Sequence, residues 1–273
     1  MKPPLEARPG NRRATLRFVV VTTLAASAQA AVLNDTGQTQ CYDAADASVV
    51  CSSSVGGDNG TNPRQDARYG RDAAATAGQL RKMGAGVAAF DYTKIANDGS
   101  ILPSDASPGS GATEWACTRD NVTGLIWEVK TTSGLRDRSH TYTWYSTDLA
   151  TNGANAGAVG RNTCASTLAV APHDNQCNTR NFVAAVNASP GLCGASDWRL
   201  PTRRELLTLT DSGASPAIDA NYFPNTITSE FHWTSNTYTP DAALVWVVGF
   251  FVGDSLSYHK DYLGVARLVR GGL

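Results

Sequence analysis

Three stretches of this 273-residue chain predict an α+β fold. Cys193 to Asp211, CGASDWRLPTRRELLTLTD, reads as a turn followed by a short capped helix. Asn178 to Asn187, NTRNFVAAVN, reads as a second short helix just upstream, so two helices flank Cys193. After Asp211 the runs FHWTSNTY, ALVWVVGFFVG, SLSYHKDY and GVARLVRG read as four strands of an antiparallel sheet closed by the last of them.

Taken in order, the chain opens with Arg12, Arg13 and Arg17, then an apolar run from Phe18 to Ala26 and the small-residue pattern Ala28-Gln29-Ala30. That order of charge, apolar run and small residues is a secretory signal, with cleavage expected after Ala30. The run is about half the roughly 20 residues that a spanning helix needs. Ala243 to Gly253 is apolar as well, but its Val, Trp and Phe content makes it a buried strand. Residues 31–112, rich in Ala, Gly, Asp and Ser, read as a small N-terminal extension. Within it a weak helix is expected near Ala73 to Lys82, a strand at Val87 to Thr93, a turn at Asn97-Asp98-Gly99 and a return strand at Ser100 to Leu102. The Ser/Pro/Gly-rich run Ser104 to Thr113 reads as a linker, which sets the main domain at 113–273.

In that domain Val122 to Val129 alternates, with Leu125, Trp127 and Val129 inward and Val122, Gly124, Ile126 and Glu128 on the other face. Thr141 to Thr147 alternates too, and Trp144 there reads as core. Thr151 to Gln176 reads as a long irregular loop. Asn178-Thr179 caps the first helix, whose buried stripe is Phe182, Val183 and Val186, and Pro190-Gly191 ends it. Thr202 with Glu205 three residues on is a capping box for the second. Leu206, Leu207 and Leu209 then face Trp198, and Arg203 and Arg204 are left for water or a partner.

Charge and cysteines bound the function. Residues 1–30 hold five basic residues and one acid, so the rest carries 18 basic against 23 acidic residues, which argues against a nucleic-acid partner. Six cysteines in an exported chain are expected as disulfides, and proximity in sequence pairs Cys41 with Cys51, Cys164 with Cys177, and therefore Cys117 with Cys193. No metal site or cofactor is expected. His140, His173, His232 and His259 are scattered, and Asp58 to Asn62 is a polar turn, because Pro63 and Tyr69 stand where a calcium loop counted from Asp58 needs glycine and glutamate. No nucleophile elbow, nucleotide loop or paired-carboxylate signature occurs, so an enzyme is not expected.

WRLPT-x-x-EL at Trp198, CTRDNVTGLIWEVKT at Cys117 to Thr131 and ARLVRGG at Ala266 to Gly272 together resemble the C-terminal domain of Legionella collagen-like adhesins, over roughly Trp115 to Gly272. The resemblance implies a C-type-lectin-like architecture, shared with formylglycine-generating enzymes, and an exported binding module, periplasmic, secreted or on the bacterial surface. It implies binding of sulfated or other polyanionic glycans by exposed basic side chains, with Lys130, Arg136, Arg138, Arg203, Arg204 and Lys260 as candidates. The E-P-N, Q-P-D and W-N-D tripeptides of calcium-dependent lectins are absent, as is any collagen-like G-X-Y tract. Collagen-driven trimerisation therefore does not carry over, and a homotrimer formed by the domain itself stays open. An envelope assembly module that binds protein and a cysteine-based oxidase on the same scaffold are the alternative functions.

Overall fold

A computed structural model describes residues 34–52, 62–188 and 190–271. The expected signal at 1–30 lies outside the described residues, and so does most of the polar turn at 58–62. The described residues belong to one compact unit.

A two-stranded ribbon pairs β1 (Cys41–Tyr42) with β2 (Ser48–Val49), and two short helices follow, α1 (Asp66–Tyr69) and α2 (Arg71–Thr76). The helix expected at 73–82 thus starts earlier and is shorter: Gly78, at a φ of +68°, ends it. Next come β3 (Tyr92–Ala96) and β4 (Ile101–Leu102), a hairpin turned at Asn97-Asp98-Gly99 as expected, although its first strand lies later than the expected Val87 to Thr93. β5 (Trp115–Asp120) and β6 (Ile126–Glu128) follow, then α3 (Thr179–Asn187) and α4 (Arg203–Leu207), then β7 (Phe231–Thr237), β8 (Leu244–Gly249), β9 (Asp254–His259) and β10 (Val269–Arg270).

Two larger sheets replace the single one expected. One is ordered β10-β6-β5-β3-β4, the other β7-β8-β9, and both are antiparallel. The expected C-terminal strand at 264–271 is therefore shared: Val265 bridges β7 at His232, and β10 pairs with β6. The extension is continuous with the main domain, because β3 hydrogen-bonds along β5 from Tyr92↔Asp120 to Ala96↔Trp115. A boundary near residue 112 marks a change in composition and interrupts no core. The run at 122–129 breaks into a turn and a three-residue strand, because Asp120 Oδ1 accepts from the N–H groups of Val122 and Thr123. Residues 141–147 form only isolated bridges to Gly264, Asn178 and Gly157.

Two apolar clusters fill the interior. Trp144, Phe182, Trp198 and Trp233 anchor one; Tyr92, Trp127, Leu206, Leu209, Phe223 and Phe250 anchor the other. Leu206 of α4 and Leu209 just after it therefore pack in the cluster of Phe250, while Trp198, their expected partner, lies in the opposite cluster. α3 carries Phe182 and Val186 inward and is capped by Asn178, whose side chain accepts from Asn181 N–H.

All three expected disulfides are formed: Cys41–Cys51, Cys117–Cys193 and Cys164–Cys177. Cys117–Cys193 ties the middle strand of the larger sheet to the turn between the helices.

Glu128, expected on a solvent face, is fully buried. One oxygen accepts from Lys130 Nζ at 3.0 Å and the other from Leu268 N–H at 2.9 Å. Arg267, also fully buried, donates to the carbonyl of Glu128 and to Thr226 Oγ1, and lies 5.3 Å from the ring centre of Phe223. Burial brings its guanidinium down to about 10. His232 is buried against Phe250, with ring centres 4.8 Å apart, and its Nδ1 has no hydrogen-bond partner. Burial, then the charges of Arg267 and Lys130, hold this imidazole well below its usual value of 6.5.

Two predictions follow from these contacts. Opening Cys117–Cys193, which closes a separation of 76 residues, should cost about 4.5 kcal/mol by loop entropy, against about 3 for the bridges spanning 10 and 13; urea unfolding of paired Cys→Ala variants gives that order. As pH falls below 6.5, the unfolded chain takes up a proton at His232 that the fold refuses, so stability falls toward the lowered folded value. His232→Gln should flatten this slope by up to about 1.4 kcal/mol per pH unit, read by urea unfolding at several pH values.

Candidate functional site on the capped helix

The sequence WRLPT-x-x-E explains itself in three dimensions. Thr202 accepts from Glu205 N–H, and the Glu205 carboxylate accepts from Thr202 N–H at 2.7 Å, so the capping box is complete. Arg199 grips both oxygens of the same carboxylate, at 2.7 and 2.8 Å, and donates to the carbonyl of Gly271. Its backbone bridges Val269 in both directions, and Arg270 pairs with Asp197 at 2.6 Å. The capped turn and Val269, Arg270 and Gly271 are thus one structure. The Arg199 guanidinium, then the Thr202 N–H and hydroxyl, outweigh partial burial and hold the Glu205 carboxyl below its usual 4.5.

That cap fixes the direction in which Arg203 and Arg204 leave α4. Arg203 lies over the Trp246 ring, with Cζ 3.8 Å from its centroid, and its Nε donates to Ser255 Oγ at 2.8 Å. Neither Nη of Arg203 donates to a protein acceptor among the described residues. Its backbone N–H donates to Asn236 Oδ1. Arg204 is exposed. Both line an open groove of about 730 Å³, with Thr202 and Asn236 on one side and Asn34, Asp35 and Thr36 of the N-terminal segment on the other. Asp35 is buried there and accepts from Gly37 and Asp72 N–H and also from Arg71 N–H, so its charge serves the start of α2.

The other four basic candidates do not join this groove. Lys130 is 3% exposed, paired with Glu128 and 4.6 Å from the Phe182 ring centre. Arg136 is 8% exposed and donates to the carbonyls of Ala116 and Val129. Lys260 is 2% exposed, donates to the carbonyls of Asn152 and Asn155 at 2.8 Å and lies over Trp144. Each satisfies interior carbonyl or carboxylate oxygens, a role that a loop position in the sequence does not reveal. Arg138 is exposed on the loop after β6.

Trp246, the ring beneath Arg203, is absent from the candidates named in the sequence. It is the one tryptophan of the six that is not buried. The signal was present in ALVWVVGFFVG, where alternation sets Trp246 opposite the core residues Val245 and Val247. No free cysteine is present, and among the described residues no three His, Cys, Asp or Glu side chains gather as direct ligands of a metal ion.

Comparison with protein families matches residues 116–270 to the Lcl C-terminal domain. The chain belongs to this family. The matched segment carries the disulfides Cys117–Cys193 and Cys164–Cys177, the buried Glu128 and the capped turn, while Asn34 to Thr36 lie outside it. No curated protein and no solved structure matches the chain. No helix among the described residues is long and apolar enough to cross a membrane.

In this Lcl C-terminal domain, Glu205→Ala removes a cap and an ion-pair partner together. It should cost about 1–2 kcal/mol, discounted because Arg199 is partly exposed. Since the folded carboxyl lies below 4.5, its contribution is present above pH 4.5 and lost as pH falls through the lowered value. Thermal melts of wild type and variant, converging only in strong acid, check this.

Proposed function

We propose that the chain is an exported binding module that attaches to sulfated or other polyanionic glycans through the groove on α4. Membership in the Lcl C-terminal domain family supports an adhesin-related surface or secreted role, and three disulfides suit an oxidising compartment outside the cytoplasm. The observation that carries the glycan reading is the Arg203–Arg204 pair. Arg203 is held by Trp246 and Ser255 with its Nη groups uncommitted, so its planar fork is oriented before a ligand arrives. A sulfate group accepts two parallel N–H bonds from such a fork, and hydroxyls of the same sugar meet Thr202, Thr36 and Asn236 along the walls. The grouping of short helices with antiparallel sheets supports a C-type-lectin-like scaffold for this role. With all six cysteines in bridges, the reading is of binding rather than thiol chemistry.

Heparin immobilised on a sensor surface tests this. Binding should weaken steeply between low and physiological salt, as expected for exposed charges. Arg203→Ala with Arg204→Ala should weaken it by roughly tenfold or more, at about 1.4 kcal/mol per decade. Arg203→Lys should recover only part, since the point charge lacks the fork. Salt-independent binding that survives both alanine substitutions would instead indicate an apolar protein partner.

A further inference from the structure

Beside the arginine groove, and sharing Thr202 and Asn236 with it, lies a second open cleft of about 550 Å³. Its position follows from an irregularity in β7. The pairing of β7 with β8 shifts register between Trp233 and Thr237, which takes Ser235 and Asn236 out of the ladder. The Ser235 N–H then donates to the carbonyl of Pro201 at 2.8 Å, and Asn236 Oδ1 accepts from the Arg203 N–H at 2.7 Å. The end of the strand is thereby pinned to the start of α4, with Asn236 standing between the two clefts.

The second cleft differs from the first in its chemistry. None of the side chains lining it is charged. One is aromatic: Tyr238, half-buried, meets the Trp246 ring nearly at right angles, with centroids 5.1 Å apart. Trp246 thus touches the guanidinium of one cleft and the aromatic ring of the other. Because the Arg203 N–H occupies Asn236 Oδ1, Nδ2 is left as a donor for a ligand. Neither it nor the hydroxyls of Ser235, Tyr238 and Thr239 bond a protein group among the described residues. The wall at residues 150–153 is fixed in advance. Thr237 Oγ1 donates to the carbonyl of Thr151 at 2.9 Å, and the buried Lys260 Nζ donates to those of Asn152 and Asn155 at 2.8 Å.

We propose that this cleft is a subsite for an uncharged sugar, next to the sulfated sugar held by Arg203 and Arg204. The inference rests on the glycan reading of the arginine groove and names the pattern of its ligand, a sulfated ring joined to a neutral one. A pyranose has an apolar C–H face and an edge of hydroxyls. The Tyr238 ring takes the face, while the uncommitted amide and hydroxyls take the edge. A sulfate placed there would lose its water with no basic side chain in the lining to receive it.

Two polymers immobilised on a sensor surface test this: keratan sulfate with unsulfated galactose, in which sulfated and neutral sugars alternate, and dextran sulfate, in which sulfate is carried throughout. Tyr238→Ala should weaken keratan sulfate binding by about fivefold or more and leave dextran sulfate binding within about twofold. Ala150→Trp, which fills the cleft from the 150–153 wall at an exposed position, should do the same while leaving Tyr238 against Trp246. Arg203→Ala with Arg204→Ala should weaken binding to both polymers. The subsite alone is overturned if the arginine variant weakens both polymers while Ala150→Trp affects both equally or neither. If neither polymer binds, or the arginine variant binds both unchanged, the glycan reading falls and the subsite falls with it.

Discussion

One buried carboxylate holds the C-terminal strand in its place in the larger sheet. Glu128 is fully enclosed and answers Lys130 and the Leu268 N–H, while its own carbonyl receives Arg267. A lone carboxylate in the interior would be strongly destabilising, so its partners must arrive with it and in register. Lys130 is two residues away in sequence, but Arg267 and Leu268 are about half the chain away, and they reach Glu128 only when β10 lies beside β6. The contact therefore selects one pairing for the C-terminal strand, and the buried cations around it are the cost of that selection.

The same strand positions the candidate site. Val269 bridges Arg199, Arg199 holds Glu205, and Glu205 caps α4, so the orientation of Arg203 over Trp246 rests on a chain of contacts that begins at β10. The groove is thus built from a rigid turn, with the N-terminal segment as its second wall.

Local chemistry was legible in the sequence: the capping box at Thr202, the Asn178 cap, the Asn97-Asp98-Gly99 turn and the three disulfides all form as read. What failed to show was decided by distant partners. Alternation placed Glu128 outside, because a period of two cannot signal that the second face is covered by another strand. Lys130, Arg136 and Lys260 looked like ligand-binding charges, since only tertiary structure reveals the carbonyls and rings they reach. Arg203 and Arg204 kept their expected place because a helix start fixes direction locally. The stacking partner of Arg203, Trp246, more than 40 residues on, needed the β8 register.

The family segment begins at residue 116, inside β5, and β5 is the central strand of its sheet, with β6 on one side and β3 on the other. Sequence kinship and hydrogen bonding therefore divide this molecule at different places. Cut at the family boundary, the domain would present the side of β5 that β3 now occupies as a bare edge, with amide groups open to any extended chain. In this chain residues 92–102 act as a built-in edge guard. A chain carrying the same segment after a different N-terminal region must find another cover for that edge, so what precedes the family segment is under structural constraint.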